Sequence, residues 1–279
     1  MNKNTTYRIA QFAIYKLDRQ SWVLQTTERI NIITNSALVH FLKEIMYQRY
    51  ITSDKLLHMK QKYEDIFDNI IKYIQDNEIL IPLKELNFNL KSVTLVTNNK
   101  EIFNFLNNHY FDQTLLLKDF QNVKFKNTLL VVILNPYNPE IVRKIYQKIS
   151  NDNNFLLLGY FYNFNFYLDN IYHPELKLPD HFDHIKYIQT KIYSDQTSYT
   201  YQDLIDIIFE KDPNFGLIYP ISWEDLIMVS SLVMRRVLTV FDLDKDVNLY
   251  MTKEILKMEE MNMKTYKRME DFAEFWEMG

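Results

Sequence analysis

The 279-residue sequence contains no cysteine, which excludes disulfides, thiol catalysis and cysteine-ligated zinc. Glycine is nearly as scarce, with only Gly159, Gly216 and Gly279. Glycine is the residue that lets backbone approach a phosphate closely, so its scarcity limits nucleotide chemistry. No run of about 18 apolar residues occurs, so no membrane-spanning helix is expected. The polar N-terminus does not read as a signal peptide, and a cytoplasmic location is the expectation. An excess of basic charge is also missing: the net charge of −4 argues against a general nucleic-acid binder. What is present is 47% hydrophobic and 24% charged, the balance of a globular chain long enough for one large or two modest domains.

The first 86 residues read as one small module. "YRIAQFAIYKL" (7–17) alternates as a strand, "WVLQT" (22–26) is a second, and "RINIIT" (29–34) is a third, short edge strand. Asn35-Ser36 caps the helix "ALVHFLKEIMYQ", and Thr52 or Ser53 caps "SDKLLHMKQKY". "EDIFDNIIKYIQDNE" (64–78) is a third helix with a broad apolar stripe from Ile66, Phe67, Ile70, Ile71 and Ile74, and "ILIPLK" closes the module as a strand. This order predicts an N-terminal winged helix-turn-helix over residues 1–86.

From residue 87 to 279 the pattern becomes strand alternating with helix. "SVTLVT" leads into "KEIFNFLNNHY", "TLLLKDF" reads as a strand, "TLLVVILNP" leads into "PEIVRKIYQKIS", and "FLLLGYF" follows. Continuously apolar strands between helices predict a parallel sheet covered on both faces, a Rossmann-like α/β domain. The turns that would cradle phosphate are "TNNK" and "NPYNPE", and neither contains glycine, so the expected frame is degenerate and holds no nucleotide. C-terminal helices are expected around "YQDLIDIIFEK", "SWEDLIMVSSLVMRRVLTVF" and the Met-rich tail "KEILKMEEMNMKTYKRMEDFAEFW".

Candidate chemistry is sparse. His173, His181 and His184 cluster in "HPELKLPDHFDH" with Asp180 and Asp183 between them. His181 and His184 would face one ion if the segment were helical, but Pro174 and Pro179 favour a polar surface loop, and no metal site is expected. There is no G-x-S-x-G elbow, and pairs such as Asp203/Asp206 and Glu259/Glu260 read as solvated helix faces, so no catalytic residue is expected. Arg235-Arg236, in an apolar helix, suits a buried carboxylate or an interface. The Met-rich tail and "LIMVSSLVM" point to a subunit interface, in the simplest case between two copies.

The third helix separates two readings of the N-terminal module. A DNA reader would carry Arg and Lys there, whereas this helix is acidic with a single Lys72. A strand edge beside an apolar helix instead suits addition of a peptide strand.

With "RINIITNSALVHFLKEI" and "EDIFDNIIKYIQDNEILIPLK" ahead of "SVTLVTNN…TLLVVILNPYNPEIVRKI…NFLLLGYF", the chain resembles a known family. It is similar to the ThiF-like, ubiquitin-activating-enzyme-like subunit of thiazole/oxazole-forming synthetases of thiopeptide and microcin type, which begins with a peptide-recognition element. The resemblance implies a non-catalytic, cofactor-free subunit that binds the leader of a ribosomally made precursor peptide. Its implied partners are a YcaO-type cyclodehydratase and a flavin-dependent azoline dehydrogenase. It implicates Arg29, Ile30, Asn31, Ile32 and Ile33 of the third strand with Phe67, Ile70, Ile71 and Ile74 of the third helix. The cysteine-ligated zinc common in relatives cannot form here. Two further functions remain open: a winged-helix transcriptional regulator with a degenerate α/β sensor domain, and a true adenylating enzyme.

Overall fold

In the computed structural model the described residues are 5–26, 29–83, 86, 88–107, 111–149, 153–176, 178–193, 201–243, 248–250 and 252–272. The chain divides into two compact units, Met1–Leu86 and Asn87–Gly279. Its architecture is mixed α/β.

In the first unit the order is β1 (Thr6–Ile9), β2 (Phe12–Lys16), β3 (Trp22–Thr26), β4 (Ile30–Ile33), α1 (Ser36–Ile45), β5 (Tyr50–Thr52), α2 (Ser53–Tyr63), a 3-10 turn (Glu64–Ile66), α3 (Phe67–Asp76) and β6 (Leu80–Pro82). The strands form two antiparallel sheets, ordered β5-β1-β6 and β2-β3-β4. The single strand expected over 7–17 is therefore two. Tyr7 and Ile9 are buried, as is Phe12. The step from 9 to 12 reverses strand parity, so one straight strand would expose Phe12. The chain breaks at Ala10-Gln11 instead and sends its halves to different sheets. β5 lies hidden between helices because three residues carry too little alternation to read.

The helix starts follow the capping residues. Asn35 accepts the Leu38 N–H at 3.0 Å, and Thr52 accepts the Lys55 N–H at 3.4 Å. The apolar faces of α1 and α3 meet around Phe41, whose ring packs edge-on against Phe67 (6.2 Å) and Tyr63 (5.3 Å).

The second unit runs β7 (Ser92–Thr97), α4 (Lys100–Leu106), β8 (Gln113–Leu116), α5 (Leu117–Phe120), β9 (Thr128–Leu134), α6 (Pro139–Ile149), β10 (Phe155–Tyr162), β11 (Asn165–Leu168), α7 (His181–Tyr193), α8 (Tyr201–Lys211), α9 (Trp223–Phe241), α10 (Lys253–Leu256), β12 (Lys257–Asn262) and β13 (Arg268–Phe272). Seven strands make one mixed sheet in the order β13-β12-β11-β10-β9-β7-β8. β8, β7, β9 and β10 are parallel, and every residue of β9 and β10 is buried, as uninterrupted apolar runs require.

Three expectations are corrected here. The sheet is not wholly parallel: β11, β12 and β13 extend it antiparallel. The Met-rich tail is, beyond the single turn of α10 and as far as residue 272, not helical but the hairpin β12–β13, in which Met258 and Met261 are buried; its remainder lies outside the described residues. Lys, Glu and Met favour helix intrinsically, and cross-strand packing overrides that preference. "TLLLKDF" is half strand and half helix, changing at Leu116-Leu117. At the start of α9, Ser222 and Asp225 form a reciprocal capping box. Among the described residues no helix is long and apolar enough to cross a membrane.

Candidate functional site

Among the described residues β4 has one strand partner, β3, and its other edge is open. The ladder's parity identifies which groups face that edge. Thr26 donates its N–H to Arg29 O at 2.9 Å, which makes 26/29, 24/31 and 22/33 the hydrogen-bonded pairs. Ile30 and Ile32 lie in the alternate pairs, so their N–H and C=O groups point outward along the open edge. Their side chains rise from the solvent face, 70% and 67% exposed, beside Val23 and near Tyr15. Asn31 and Ile33 point the other way. Ile33 is buried in the unit's core, and Asn31 donates from Nδ2 to Asn77 Oδ1 at 2.9 Å. That bond ties β4 to the C-terminal end of α3, where Asn77 also donates to Tyr73 O at 2.8 Å. Burial raises the Tyr73 phenol above its usual value.

The sequence-predicted residues thus separate. Arg29, Ile30 and Ile32 are exposed at the edge, Asn31 is half-buried, and Ile33 is core. On α3, Phe67, Ile70, Ile71 and Ile74 all face inward and pack with Phe41, Leu42 and Ile45. Their stripe is consumed by the unit's own core, and the surface that α3 presents is polar, with Asp68, Asn69, Lys72 and Asp76. Tyr73 and Asn77, which bound the edge, are not singled out by the sequence. Their only trace there is an i, i+4 pair beyond the apolar stripe.

In the second unit, polar side chains bridge the carboxyl ends of β7 and β9, beside a pocket of about 500 Å³ lined by Asn98, Lys100, Lys118 and Lys144. Asn98 accepts the Asn135 N–H through Oδ1 (2.8 Å) and donates from Nδ2 to Pro136 O (2.7 Å), stitching the two strand ends together. Asn99 caps α4 by accepting the N–H groups of Glu101 (2.9 Å) and Ile102 (3.0 Å). Those are the donors a phosphate would use. Above them, Asn135 exchanges hydrogen bonds with the Tyr219 backbone at 2.8 and 2.9 Å. A Cβ on Gly216 would lie 2.8 Å from Pro136 Cβ, so this close layer requires glycine.

The segment expected as a polar surface loop is buried. Helix α7 begins at His181, which places His181 and His184 on one face, both toward Asp169. His181 Nδ1 lies 2.9 Å from Asp169 Oδ2, and His184 Nδ1 lies 3.0 Å from Asp169 Oδ1. The far nitrogen of His181, Nε2, is 2.9 Å from the Tyr137 hydroxyl. Burial alone would raise the Asp169 carboxyl, but His184 and His181 more than reverse this and hold it below the usual carboxylate range. An ionised carboxylate can only accept, so His181 Nδ1 donates to it, while His184 Nδ1 lies at ion-pair distance from its other oxygen. The spacing of three that suits a metal here grips a carboxylate. Among the described residues no three His, Asp or Glu side chains are placed to hold a metal ion. His173 is also buried, its Nδ1 accepting the Glu175 N–H and its ring against Phe155.

The carboxylate pair Glu259/Glu260 is likewise not a solvated helix face. The two lie on opposite faces of β12, and buried Glu259 takes Arg235 at 2.7 Å. Arg236 is buried against Glu254 at 2.9 Å and donates to Lys257 O.

The family model described as microcin B17-processing protein McbB matches residues 7–279. Among solved structures, a chain of the E. coli microcin synthetase McbBCD complex is similar at 16% identity, covering 95% of this chain and 96% of that one, with a TM-score of 0.63. A chain of the same E. coli complex with pro-MccB17 bound is 17% identical, with 95% of each chain covered and a TM-score of 0.51. At these identities the likeness is one of fold. No curated protein matches the chain.

Proposed function

We propose a function from the premise that the chain belongs to the family of the microcin B17-processing protein McbB. In this reading it binds the leader segment of a ribosomally made precursor peptide and presents the core segment to modifying subunits. Those partners are a YcaO-type cyclodehydratase and a flavin-dependent azoline dehydrogenase, and the chain itself carries out no chemical step. The first unit acts as a winged-helix peptide-recognition element, and the second is a Rossmann-like ThiF frame retained as scaffold. The similarity in fold to a chain of the microcin synthetase complex with pro-MccB17 bound supports a peptide ligand.

One observation carries the reading: the open edge of β4, where Ile30 and Ile32 offer outward backbone groups under exposed apolar side chains. An added peptide strand would pair with both residues through N–H and C=O. Four such bonds, at about 0.5–1.5 kcal/mol net each, would supply register and a few kcal/mol. Burial of the two isoleucine side chains under the peptide would add the rest. The α3 stripe supports the edge from within, and Asn31, held by Asn77, fixes the strand's position. Tethering a leader there would make each modification of its core effectively intramolecular.

The turn between β7 and α4 supports a non-catalytic role, since Asn99 already takes the helix N–H groups that a phosphate would use there. The regulator reading gains nothing from the surface of α3, where Asp68 and Asp76 outnumber Lys72.

The test is fluorescence anisotropy of the labelled leader peptide encoded beside this chain, titrated with the full chain and with Ile32→Pro. The Ile32 N–H faces the open edge, so proline there removes no bond of the native ladder. It should weaken leader binding by about tenfold or more with an unchanged melting temperature. Equal affinity of Ile32→Pro and wild type would refute edge pairing, and no binding by either would refute leader recognition.

A further inference from the structure

The sheet of the second unit ends on a strand whose charges mirror one another. Among the described residues β13 has one strand partner, β12, and it stands last in the seven-stranded order. The turn that leads into β13 decides which of its backbone groups are already used. Tyr266, with φ at 52°, donates its N–H to Asn262 O at 2.8 Å, and Asn262 donates its N–H to Lys267 O at 3.0 Å. Those two bonds are the signature of a bulge whose first residue is left-handed. They make 262/267, 260/269 and 258/271 the hydrogen-bonded pairs of the hairpin. Arg268 and Glu270 lie in the alternate pairs, so their N–H and C=O groups point outward along the free edge.

Residues 267 to 271 read Lys-Arg-Met-Glu-Asp, two cations and two anions arranged symmetrically about Met269. Lys267, Met269 and Asp271 share one face of the sheet, and Arg268 and Glu270 share the other. Lys267, Arg268 and Asp271 form no ion pair with another described residue, whereas Glu270 is held by Lys257 at 3.1 Å. Charges along a strand edge ordinarily keep other strands away. In this order they do so for every strand except a copy of the same one. A two-fold axis through Met269, normal to the sheet, would lay a second β13 antiparallel to the first and keep every side chain on its own face. Lys267 would then face Asp271 of the second copy, and Arg268 would face its Glu270. Opposite charges directly across a strand pair attract, and like charges repel. An axis through Arg268 or Glu270 would set that residue against itself, so the charges select one register. In that register Arg268 and Glu270 of the second copy exchange both N–H···O=C bonds, and the axis repeats the exchange.

We propose that the edge of β13 joins two copies of this chain, paired antiparallel about Met269 so that each sheet continues into the other. This gives the interface expected in the Met-rich tail a definite place, and it does not rest on the leader reading.

The experiment is sedimentation velocity of the full chain from micromolar to millimolar concentration. The expected result for wild type is a monomer–dimer equilibrium with Kd on the order of 100 μM or tighter. Lys267→Glu sets two acids against each other across the axis, and Asp271→Lys sets two lysines, so each variant alone should dimerise about tenfold or more weakly. An equimolar mixture of the two variants restores both opposite-charge pairs and should recover the wild-type affinity, which a merely misfolded variant would not do. Arg268→Pro removes an outward N–H and no bond of the native hairpin, so it should weaken the dimer with near-UV circular dichroism unchanged. If either charge variant fails to fold, Arg268→Pro decides alone. A wild-type chain that stays monomeric to millimolar concentration, a dimer that folded Arg268→Pro leaves equally tight, or a mixture of folded charge variants no tighter than each alone overturns the proposal.

Discussion

Replacing Asp169 with asparagine should destabilise the second unit by about 3 kcal/mol, a cost that follows from one hydrogen bond and one close charge contact. The carboxylate accepts from His181 Nδ1 at 2.9 Å and has His184 Nδ1 at 3.0 Å, and all three side chains are buried. Charge-assisted bonds contribute roughly 1.5–3 kcal/mol each. Asparagine keeps one acceptor for His181 and turns its NH₂ toward the His184 imidazole, so the charge contact is lost. For a unit of this size 1 kcal/mol moves the melting temperature by about 2–4 °C, so the expected fall is about 6–12 °C. Calorimetry resolves it, with Asp271→Asn, on the edge strand β13, as the control that should shift little. The effect must also depend on pH in one direction. The folded-state pKa of Asp169 is depressed, so its contribution is complete above the unfolded carboxylate value near 4 and is lost as pH falls toward the folded value. The gap between wild type and variant should therefore hold from pH 7 to about pH 5 and narrow below about pH 4. A fall under about 2 °C at pH 7, or a gap that widens in acid, would refute the placement of the carboxylate between two imidazoles.

Three further outcomes are expected. Asn31→Ala frees β4 from Asn77, which should cost about 1 kcal/mol in urea melts and weaken leader binding several-fold; unchanged affinity would mean the α3 link does not order the edge. Asn98→Ala breaks both bonds between the ends of β7 and β9 and strands the Asn135 N–H, for about 1–3 kcal/mol, yet it should create no ATP binding by equilibrium dialysis. Gly159→Ala places a Cβ 2.7 Å from Phe166 Cζ between fully packed strands, so a loss of about 1–3 kcal/mol is expected on thermal melting.

What the sequence made legible was local. Asparagine and threonine before apolar periodic runs located the starts of α1, α2 and α4, and the all-apolar runs located β9 and β10. The missing glycines at the strand-to-helix turns are matched by asparagines, Asn98 and Asn99, that hydrogen-bond the neighbouring backbone. Illegible was whatever depended on partners distant in the chain. The strands of the Met-rich tail have helix-forming composition and become strands only because β11 offers an edge. His181 and His184 read as surface residues because the proline-bounded segment gives no hint of Asp169 beneath it, at the end of β11. The apolar stripe of α3 was visible, but sequence alone does not say whether such a stripe faces a core or a ligand. Here Phe67, Ile70, Ile71 and Ile74 face the core.

The register of β11 against β12 sets an order of events during synthesis. Leu168 pairs with Glu259 and Tyr167 with Glu260, so β11 waits for its second partner on residues made some ninety positions later. Contacts that distant close slowly, because the intervening loop must lose its freedom before the pairing rewards it. All the strands and helices of the first unit, by contrast, have been synthesised by residue 82. On a translating ribosome the edge of β4 is therefore formed while β11 still lacks its neighbour β12. For that interval the nascent chain displays an open strand edge below an unfinished sheet, and the two must be kept from pairing with each other.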